Sequence, residues 1–412
     1  MAALGFNKFS DGVFLKEGWS KCHVARCMYM KYSQEFECLV YALHHSDNYT
    51  LASLSKEAIL CEYKALSVHM KLTPLAPVKN YLGMEWQRVS AVDGTETELG
   101  NVWLVRQRAN IEKMIAQHGH RREKFNPKQV VRTQAFPSNG DDRGDKIPPE
   151  KRDSMGEYLT VEYQSLTGSM NFIMRTRPSV RYEMRELSAR NHNPRIWDWE
   201  RAVWFMEYLE QSKDMPLALG GDSFEPYSVY DGGLGTMDEH RSVYGGYTTI
   251  GAGAGAHESC VKTLKCAITQ IMEVEVYGQA AGCDANLYCR ELAAELRLKI
   301  PQCLKVYCDN EAAIDWGRDI TSMKGTRHFA KKLYRVKHLY EDGDIEPMRI
   351  AGAINAADKC TKVTVGEDFL YKTAVIQGHG LVQGVNIPGV IERMAVMKEK
   401  KEQVAGTKKV TV

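Results

Sequence analysis

The sequence predicts an α/β (α+β) fold, and three stretches in the second half of the chain carry this prediction. Tyr227, Val229 and Asp231 share one face of a period-2 strand, which a pair of glycines then ends. Residues 272–282 show the pattern of a short helix crowded with small side chains. Residues 303–309 show a second strand pattern, and a helical pattern follows it directly. Strands that alternate with helices in this way are typical of α/β domains.

Four carboxylates lie at the edges of these apolar elements. Asp231 and Asp309 end the two strands, Glu275 lies in the helix, and Asp358 opens a C-terminal helical pattern. Like charges that cannot move apart raise one another's pKa, so such a group stays ionised only when cations lie between its members. Two Mg²⁺ or Mn²⁺ ions about 4 Å apart would fit, because hard cations prefer oxygen ligands and such a pair stabilises the attacking and leaving oxygens of a phosphodiester.

The helix contributes two candidate acids, Glu273 and Glu275. Positions two apart on a helix point about 200° apart, so only one of the two side chains can face the strand acids. The residues alone leave this choice open.

The order of these acids and the sequence motifs around them resemble those of the ribonuclease H domain of Copia-type retrotransposon polyproteins. Five segments carry the resemblance, namely 229–235 (Val-Tyr-Asp-Gly-Gly-Leu-Gly), 240–247 (His-Arg-Ser-Val-Tyr-Gly-Gly-Tyr), 271–277 (Ile-Met-Glu-Val-Glu-Val-Tyr), 309–313 (Asp-Asn-Glu-Ala-Ala) and 357–362 (Ala-Asp-Lys-Cys-Thr-Lys). The resemblance implies a ribonuclease H-like mixed sheet flanked by helices, hydrolysis of the RNA strand of RNA–DNA hybrids, and two Mg²⁺ or Mn²⁺ ions. It also implies four catalytic metal ligands, which are Asp231, Glu275, Asp309 and Asp358, and its pattern favours Glu275 over Glu273.

The first part of the chain resembles the end of a Copia-type reverse transcriptase palm and the start of its thumb. Residues 4–14 and 80–86 match family phrases, and an amphipathic helix is predicted over 55–70. At its hairpin the family has Tyr-Val-Asp-Asp, where this chain retains Asp47 but has Asn48 next to it. We expect the other palm acid to lie upstream of the chain. Since one carboxylate cannot assemble a two-metal polymerase site, we predict a degenerate site without polymerase activity.

The middle of the chain is predicted to contain a linker and a helical connection. Residues 118–155 are rich in charge, Pro, Gly and Asn without a hydrophobic period, which favours a solvated linker over an arm that follows phosphates. Residues 163–172 resemble a family segment of the pattern Tyr-x-x-x-Val-Gly-Ser-Leu-x-Tyr, and residues 175–180 resemble the Thr-Arg-Pro segment that follows it. Three tryptophans follow on a second helix, and packing between layers is favoured over base stacking for all of them: Trp197, Trp199 and Trp204.

A helix after the third acid offers a basic flank for nucleic-acid phosphates. Its candidate binding residues are Arg327, His328, Lys331, Lys332 and Arg335, with a solvated helix face as the equally weighted alternative. A structural hydrogen bond is favoured for His328 over protonation of the leaving group. A separate helix capped by Asp284 is predicted before this region, and the glycine-rich run 251–256 is predicted to be a turn. A phosphate cradle there is disfavoured because no Gly-Lys-Ser follows.

Composition sets the outer limits. A length of 412 residues predicts two or three domains, and a net charge of +2 means that any basic surface must be local. An odd count of 11 cysteines without a signal peptide predicts an intracellular protein, in cytoplasm or nucleus and not secreted. A zinc site at Cys22, His23 and Cys27 is disfavoured because a fourth ligand is missing. No apolar run approaches the roughly 20 residues of a membrane helix, so no membrane partner is expected.

The sequence therefore predicts a truncated retroelement polyprotein with an intact ribonuclease H site. The predicted segments are a reverse transcriptase remnant (1–117), a charged linker (118–155), a helical connection (156–215), a ribonuclease H-like domain (216–370) and a charged, disordered tail (371–412). The implied partners are an RNA–DNA hybrid or other nucleic acid, and full-length retroelement proteins. The main alternative is a catalytically inert relic that binds nucleic acid. An integrase-like transferase is disfavoured, because that class orders its acids Asp, Asp, Glu.

Overall fold

The computed structural model describes most of the chain, in twelve ranges: 2–46, 48–91, 95–97, 100–125, 134–136, 149–151, 153, 156–221, 224–236, 241–266, 268–319 and 329–381. The chain divides into two compact units. Unit 1 comprises Met1–Trp86 and Leu287–Ile300, and unit 2 comprises Gln87–Asn286 and Pro301–Val412. None of the described helices has both the length and the apolar content needed to cross a bilayer.

Unit 1 contains a four-stranded antiparallel sheet in the order β1-β2-β3-β4. Its elements are α1 (Ala2–Lys16), β1 (Ser20–Lys21), β2 (Met28–Ser33), β3 (Cys38–His45), β4 (Asn48–Ser53), α2 (Lys56–Ser67) and β5 (Asn80–Tyr81), which pairs with the start of β6 (Met84–Val89). The predicted amphipathic helix is confirmed as α2, which Ser55 caps by accepting a hydrogen bond from the amide of Ala58. Its buried Leu66 packs in one core with Phe14 and Tyr29.

A helical layer forms the first part of unit 2. Its elements are β7 (Val102–Arg106), α3 (Arg108–His118), α4 (Glu157–Ile173), α5 (Arg181–Ala189), α6 (Ile196–Gln211) and β8 (Leu217–Gly220), with short 3₁₀ turns at Gly119–Glu123, Pro149–Lys151 and Pro178–Val180. Trp197 and Trp199 are buried, and Trp199 stacks on Phe125 with ring centroids 5.1 Å apart. The predicted packing role of these two tryptophans is therefore confirmed, while Trp204 is half-buried.

The predicted solvated linker is wrong for the described part of 118–155. Phe125 and Phe136 lie in the buried core of the helical layer, since two aromatic side chains are enough to hold a segment that lacks a hydrophobic period. The basic run is also partly neutralised, because Arg121 pairs with Glu162, and Arg122 pairs with two glutamates of α6. The charged residues of this predicted linker from Lys128 to Lys146 lie outside the described residues.

A five-stranded mixed sheet forms the second part of unit 2, in the order β11-β10-β9-β12-β13. Its strands are β9 (Tyr227–Gly233), β10 (Val243–Thr249), β11 (Glu258–Thr263), β12 (Leu304–Cys308) and β13 (Ile345–Arg349). The central strand β9 pairs antiparallel with β10 and parallel with β12. Because β9 and β12 run parallel, the two acid-bearing strands end at the same edge of the sheet, and β13 runs parallel to β12 beside them. The predicted mixed α/β fold is confirmed.

Helices flank this sheet: α7 (Ile271–Glu295), α8 (Glu311–Arg318), α9 (Ala330–Glu341) and α10 (Gly366–Gln377). The prediction of a separate helix capped by Asp284 is wrong, because α7 runs unbroken through that position. The small residues that suggested a break serve close packing instead. A Cβ on Gly282 would lie 2.9 Å from Val306 of β12, so glycine lets α7 lie against the sheet.

The C-terminal helix α10 joins the two layers of unit 2. Phe369 lies in the core of the helical layer, and Ile376 packs with Val229 and Tyr247 of the sheet. The predicted start of a disordered tail at residue 371 falls inside this helix, because buried side chains on its last turns anchor it. Described residues continue to Leu381 through a short 3₁₀ turn.

Candidate active site

Asp231 occupies the end of the central strand, with a side chain only 5% exposed. Its Oδ2 accepts a hydrogen bond from the hydroxyl of Thr361, which lowers its pKa. Burial has the larger effect and, together with the charges of Asp358 and Asp309, raises the pKa of Asp231 to about 7. The alternation seen in the sequence therefore places a carboxylate in a poorly solvated position next to other acids.

Glu275 lies on α7 beside the same strand end. A Cβ on Gly232 would lie 3.0 Å from the Glu275 amide nitrogen, so the glycine after Asp231 permits this approach. The Cys308 thiol donates to Glu275 Oε2 over 3.6 Å. Burial first, and then the charges of Asp231 and Asp309, raise the pKa of Glu275 to about 9. A carboxylate in such surroundings favours its neutral form unless a cation is near.

Glu273 has different surroundings from Glu275. Its Oε1 accepts a hydrogen bond from the hydroxyl of Thr269 over 3.2 Å, in the segment that precedes α7. The structure thus brings Glu275 to the acids of the sheet edge, as the family pattern favours.

Two groups of potential ligand atoms meet at this edge. One oxygen each from Asp231, Asp309 and Asp358 lie within 4.8 Å of one another. A second group contains one oxygen of Glu275, one oxygen of Asp309 and the sulfur of Cys308, which also lie within 4.8 Å of one another. Asp309 belongs to both groups because it follows β12 directly, between the strand end and helix α8.

Asp358 lies in a 3₁₀ turn, Ala356–Cys360, and not at the start of an α-helix as predicted. Both of its oxygens are engaged by lysines. Lys372 of α10 donates to Oδ2 over 2.6 Å, and Lys362 pairs with Oδ1 over 2.6 Å. These cations offset part of the negative charge that the four acids collect.

The donor set fits a hard divalent cation. Oxygens on opposite sides of an octahedral Mg²⁺ lie about 4.2 Å apart, so oxygens within 4.8 Å of one another need only small rotations to share an ion. The raised pKa values of Asp231 and Glu275 mark buried carboxylates that an added cation would stabilise in their ionised form. The thiol of Cys308 is the one soft donor among these atoms.

The predicted nucleic-acid face is described in part. Lys331 is exposed and Lys332 half-buried on α9. Arg335 is exposed but pairs with Asp284, with a shortest distance of 3.1 Å. Arg327 and His328 lie outside the described residues.

The predicted degenerate polymerase site lies on the hairpin between β3 and β4. Asn48 begins β4 and pairs with His45 across the turn. Asp47 lies outside the described residues.

Three side chains of the site were not anticipated from the sequence. Thr361 and Lys362 belong to a quoted family segment, so their positions could have been noticed, although not their partners. Lys372 follows Asp358 at a distance that no local pattern connects, and only the folded chain brings the two together.

Comparison with known proteins gives relatives of low identity that cover much of the chain. No family model matches. The chain is 23% identical over 362 residues to the retrovirus-related Pol polyprotein from transposon TNT 1-94 of Nicotiana tabacum, an alignment that covers 87% of this chain and 26% of that protein. It is 23% identical over 205 residues to the corresponding polyprotein from transposon RE2 of Arabidopsis thaliana, covering 49% of this chain and 14% of that protein. The chain thus spans about a quarter or less of the length of these relatives.

Solved structures similar to part of the chain are ribonuclease H domains. RNase H1 from Halobacterium salinarum is 14% identical, with a TM-score of 0.25, and the similarity covers 33% of this chain and 94% of that one. The N-terminal RNase H domain of rv2228c from Mycobacterium tuberculosis is 17% identical, with a TM-score of 0.26, covering 34% of this chain and 91% of that one. The predicted resemblance to Copia-type Pol polyproteins is confirmed.

Proposed function

We propose that the five-stranded domain hydrolyses the RNA strand of RNA–DNA hybrids with two divalent metal ions, and that the polymerase site of this retroelement-derived chain is inactive. One observation carries the nuclease proposal: the four acids expected on strand, helix, strand and helix come together at one sheet edge, although Asp358 lies on a 3₁₀ turn. The polymerase proposal rests on Asn48, which stands where the resemblance expects a second metal-binding aspartate.

The acids would hold two Mg²⁺ or Mn²⁺ ions in two overlapping sets. Asp231, Asp309 and Asp358 form one set, and Glu275 with Asp309 forms the other. When bound, such ions supply Lewis-acid stabilisation of oxygens and a water of lowered pKa.

The surrounding residues of this chain hold the ligands in place. Thr361 fixes one oxygen of Asp231, the Cys308 thiol bonds Glu275, and Lys372 anchors Asp358. Side chains locked by such bonds lose little freedom when substrate binds, which favours a reactive geometry.

Substrate binding would combine the attraction of lysines to the phosphates of the nucleic acid with recognition of its ribose groups. Lys331 and Lys332 offer ammonium groups to phosphates along α9, and we extend this face to Arg327 and His328 from the sequence. RNA differs from DNA by its 2′-hydroxyls, which line the shallow minor groove of a hybrid and are therefore the expected basis of selectivity.

Cleavage of an end-labelled RNA–DNA hybrid with Mg²⁺ or Mn²⁺ tests the nuclease directly. We expect cleavage by the wild type and a loss of at least about 100-fold on Asp309→Asn, because a ligand shared by both metal sets is removed. Asp319→Asn is the matched control, since Asp319 is exposed and pairs with Lys337 outside the acid cluster. A folded wild type that leaves the hybrid intact in both metals, or an Asp309→Asn variant of normal rate, contradicts the proposal.

The second candidate is an inert relic that binds hybrids without cutting them. The observation that favours it is the engagement of both Asp358 oxygens by lysines, which can neutralise the acid without a metal. Hybrid affinity that is independent of Mg²⁺, in a protein without cleavage activity, would support this candidate over the nuclease.

A further inference from the structure

The two lysines on Asp358 differ sharply in their surroundings. Lys372 has a side chain only 4% exposed, and it also donates to Asp368 over 2.8 Å. Lys362 has a side chain 53% exposed, and among the described residues Asp358 is the one acid within ion-pair distance of it. One oxygen of Asp358 is therefore held by a buried anchor, and the other by a long, solvated side chain.

Lys362 lies within the electrostatic field of the whole acid cluster. Its Nζ lies 2.6 Å from Asp358 Oδ1, and Asp358 offers an oxygen that lies within 4.8 Å of oxygens of Asp231 and Asp309. Its ammonium group is thus a resident cation at the place where the acids need positive charge.

We propose that Lys362 is an internal cation that a divalent metal ion must displace from Asp358 Oδ1, so that Lys362 sets the metal concentration at which the site fills. The inference rests on the proposed metal-dependent function. Lys362 would thus influence metal binding indirectly, through its contact with Asp358.

The difference in burial determines which lysine a metal ion can displace from Asp358. Displacing Lys372 from Asp358 would leave its buried ammonium group with Asp368 as its ion-pair partner and too little solvent to replace the lost contact, which is costly. Lys362 can rotate into water, where its ammonium is well hydrated, and exposed ion pairs of this kind are weak. An arriving ion therefore competes with Lys362 for Oδ1, while Lys372 continues to hold Oδ2.

Removal of the competing charge should tighten metal binding by about two- to fivefold, the scale expected for a partly exposed ion pair. Lys362→Gln removes the charge and keeps the approximate length of the side chain. Lys362→Arg keeps the charge and should retain an affinity close to that of the wild type. Lys151→Gln is the matched control, because Lys151 also pairs with an acid, Glu200, over 2.7 Å and is 32% exposed at a place outside the cluster.

Isothermal titration with Mn²⁺, without nucleic acid, measures this affinity independently of activity. The expected result is tighter binding to Lys362→Gln, with Lys151→Gln unchanged and Asp309→Asn without binding at the site. Detectable binding to Lys362→Gln alone would also support the proposal, since the wild-type lysine would then be blocking the ion.

Two other outcomes separate this inference from the nuclease proposal. Equal Mn²⁺ affinity for wild type and Lys362→Gln, or weaker binding to the variant, overturns the role of Lys362 and leaves the metal site itself standing. Failure of both proteins to bind Mn²⁺ at millimolar concentration overturns both proposals, because no ion then competes for Asp358.

Discussion

Replacing Gly232 by alanine changes the spacing between the central strand and the helix that carries Glu275. The added Cβ would lie 3.0 Å from the amide nitrogen of Glu275, and 3.1 Å from both the Glu275 carboxyl carbon and Val274 Cβ. Non-bonded carbons prefer separations of about 3.5–4.0 Å, so the helix must retreat by roughly half an ångström. The backbone amide cannot rotate away, and Val274 is fully buried.

Two costs follow from this displacement. Overpacking of this kind destabilises a protein by about 1–3 kcal/mol. A misplacement near 1 Å can cost about 100-fold in rate, so we expect hybrid cleavage to fall by about 10- to 100-fold while the protein remains folded.

The assay combines initial cleavage rates under saturating hybrid with thermal denaturation of the same preparations. Gly168→Ala is the control, because a Cβ at that position of α4 meets nothing within 4 Å. Alanine within a helix should leave the rate unchanged and raise stability by about 0.5–1 kcal/mol. A Gly232→Ala protein with wild-type rate would refute the argument that this contact positions Glu275.

Three further predictions concern buried groups of unit 2. Lys359→Met should lower the free energy of unfolding in denaturant by about 3–5 kcal/mol, because Glu183 stays buried without its cation. Adding Glu183→Gln should recover most of this loss, and equal losses in the single and double variants would contradict the argument. Burial lowers the pKa of His379 from 6.5 to about 4, so the unfolded chain binds more protons between these values. Stability should be fully present above pH 6.5 and fall by up to about 3 kcal/mol toward pH 4, and His379→Asn should flatten that slope in denaturation curves. Thr361→Val removes the hydrogen bond that lowers the pKa of Asp231, so the acidic limb of the pH–rate profile should move to higher pH, and an unshifted limb would argue against ionised Asp231 in catalysis.

Local patterns were sufficient to predict the strands that carry the acids. The alternation from Tyr227 to Asp231 and the apolar run before Asp309 have a period that only a strand explains, and both became neighbouring strands of one sheet. The small residues of α7 were harder to interpret, because glycine weakens a helix in isolation. Only the close approach of Gly282 to β12 shows why they are tolerated.

The sequence could not predict contacts between residues that lie far apart in the chain. Nothing near Lys372 indicates that its ammonium group meets Asp358, and nothing near Phe136 indicates a core position. Such contacts depend on how separate elements pack, which is a property of the whole fold and not of a window of residues.

The packing of helix α10 affects how unit 2 unfolds. Its Phe369 belongs to the helical core and its Ile376 to the sheet core, while Gln377 donates to the carbonyls of Thr176 and Pro216 over 3.0 Å each. A segment shared by two cores couples their opening, because neither can melt without exposing apolar surface of the other. The helical layer and the sheet should therefore lose amide protection against hydrogen exchange as one cooperative block, with α10 among the last segments to open.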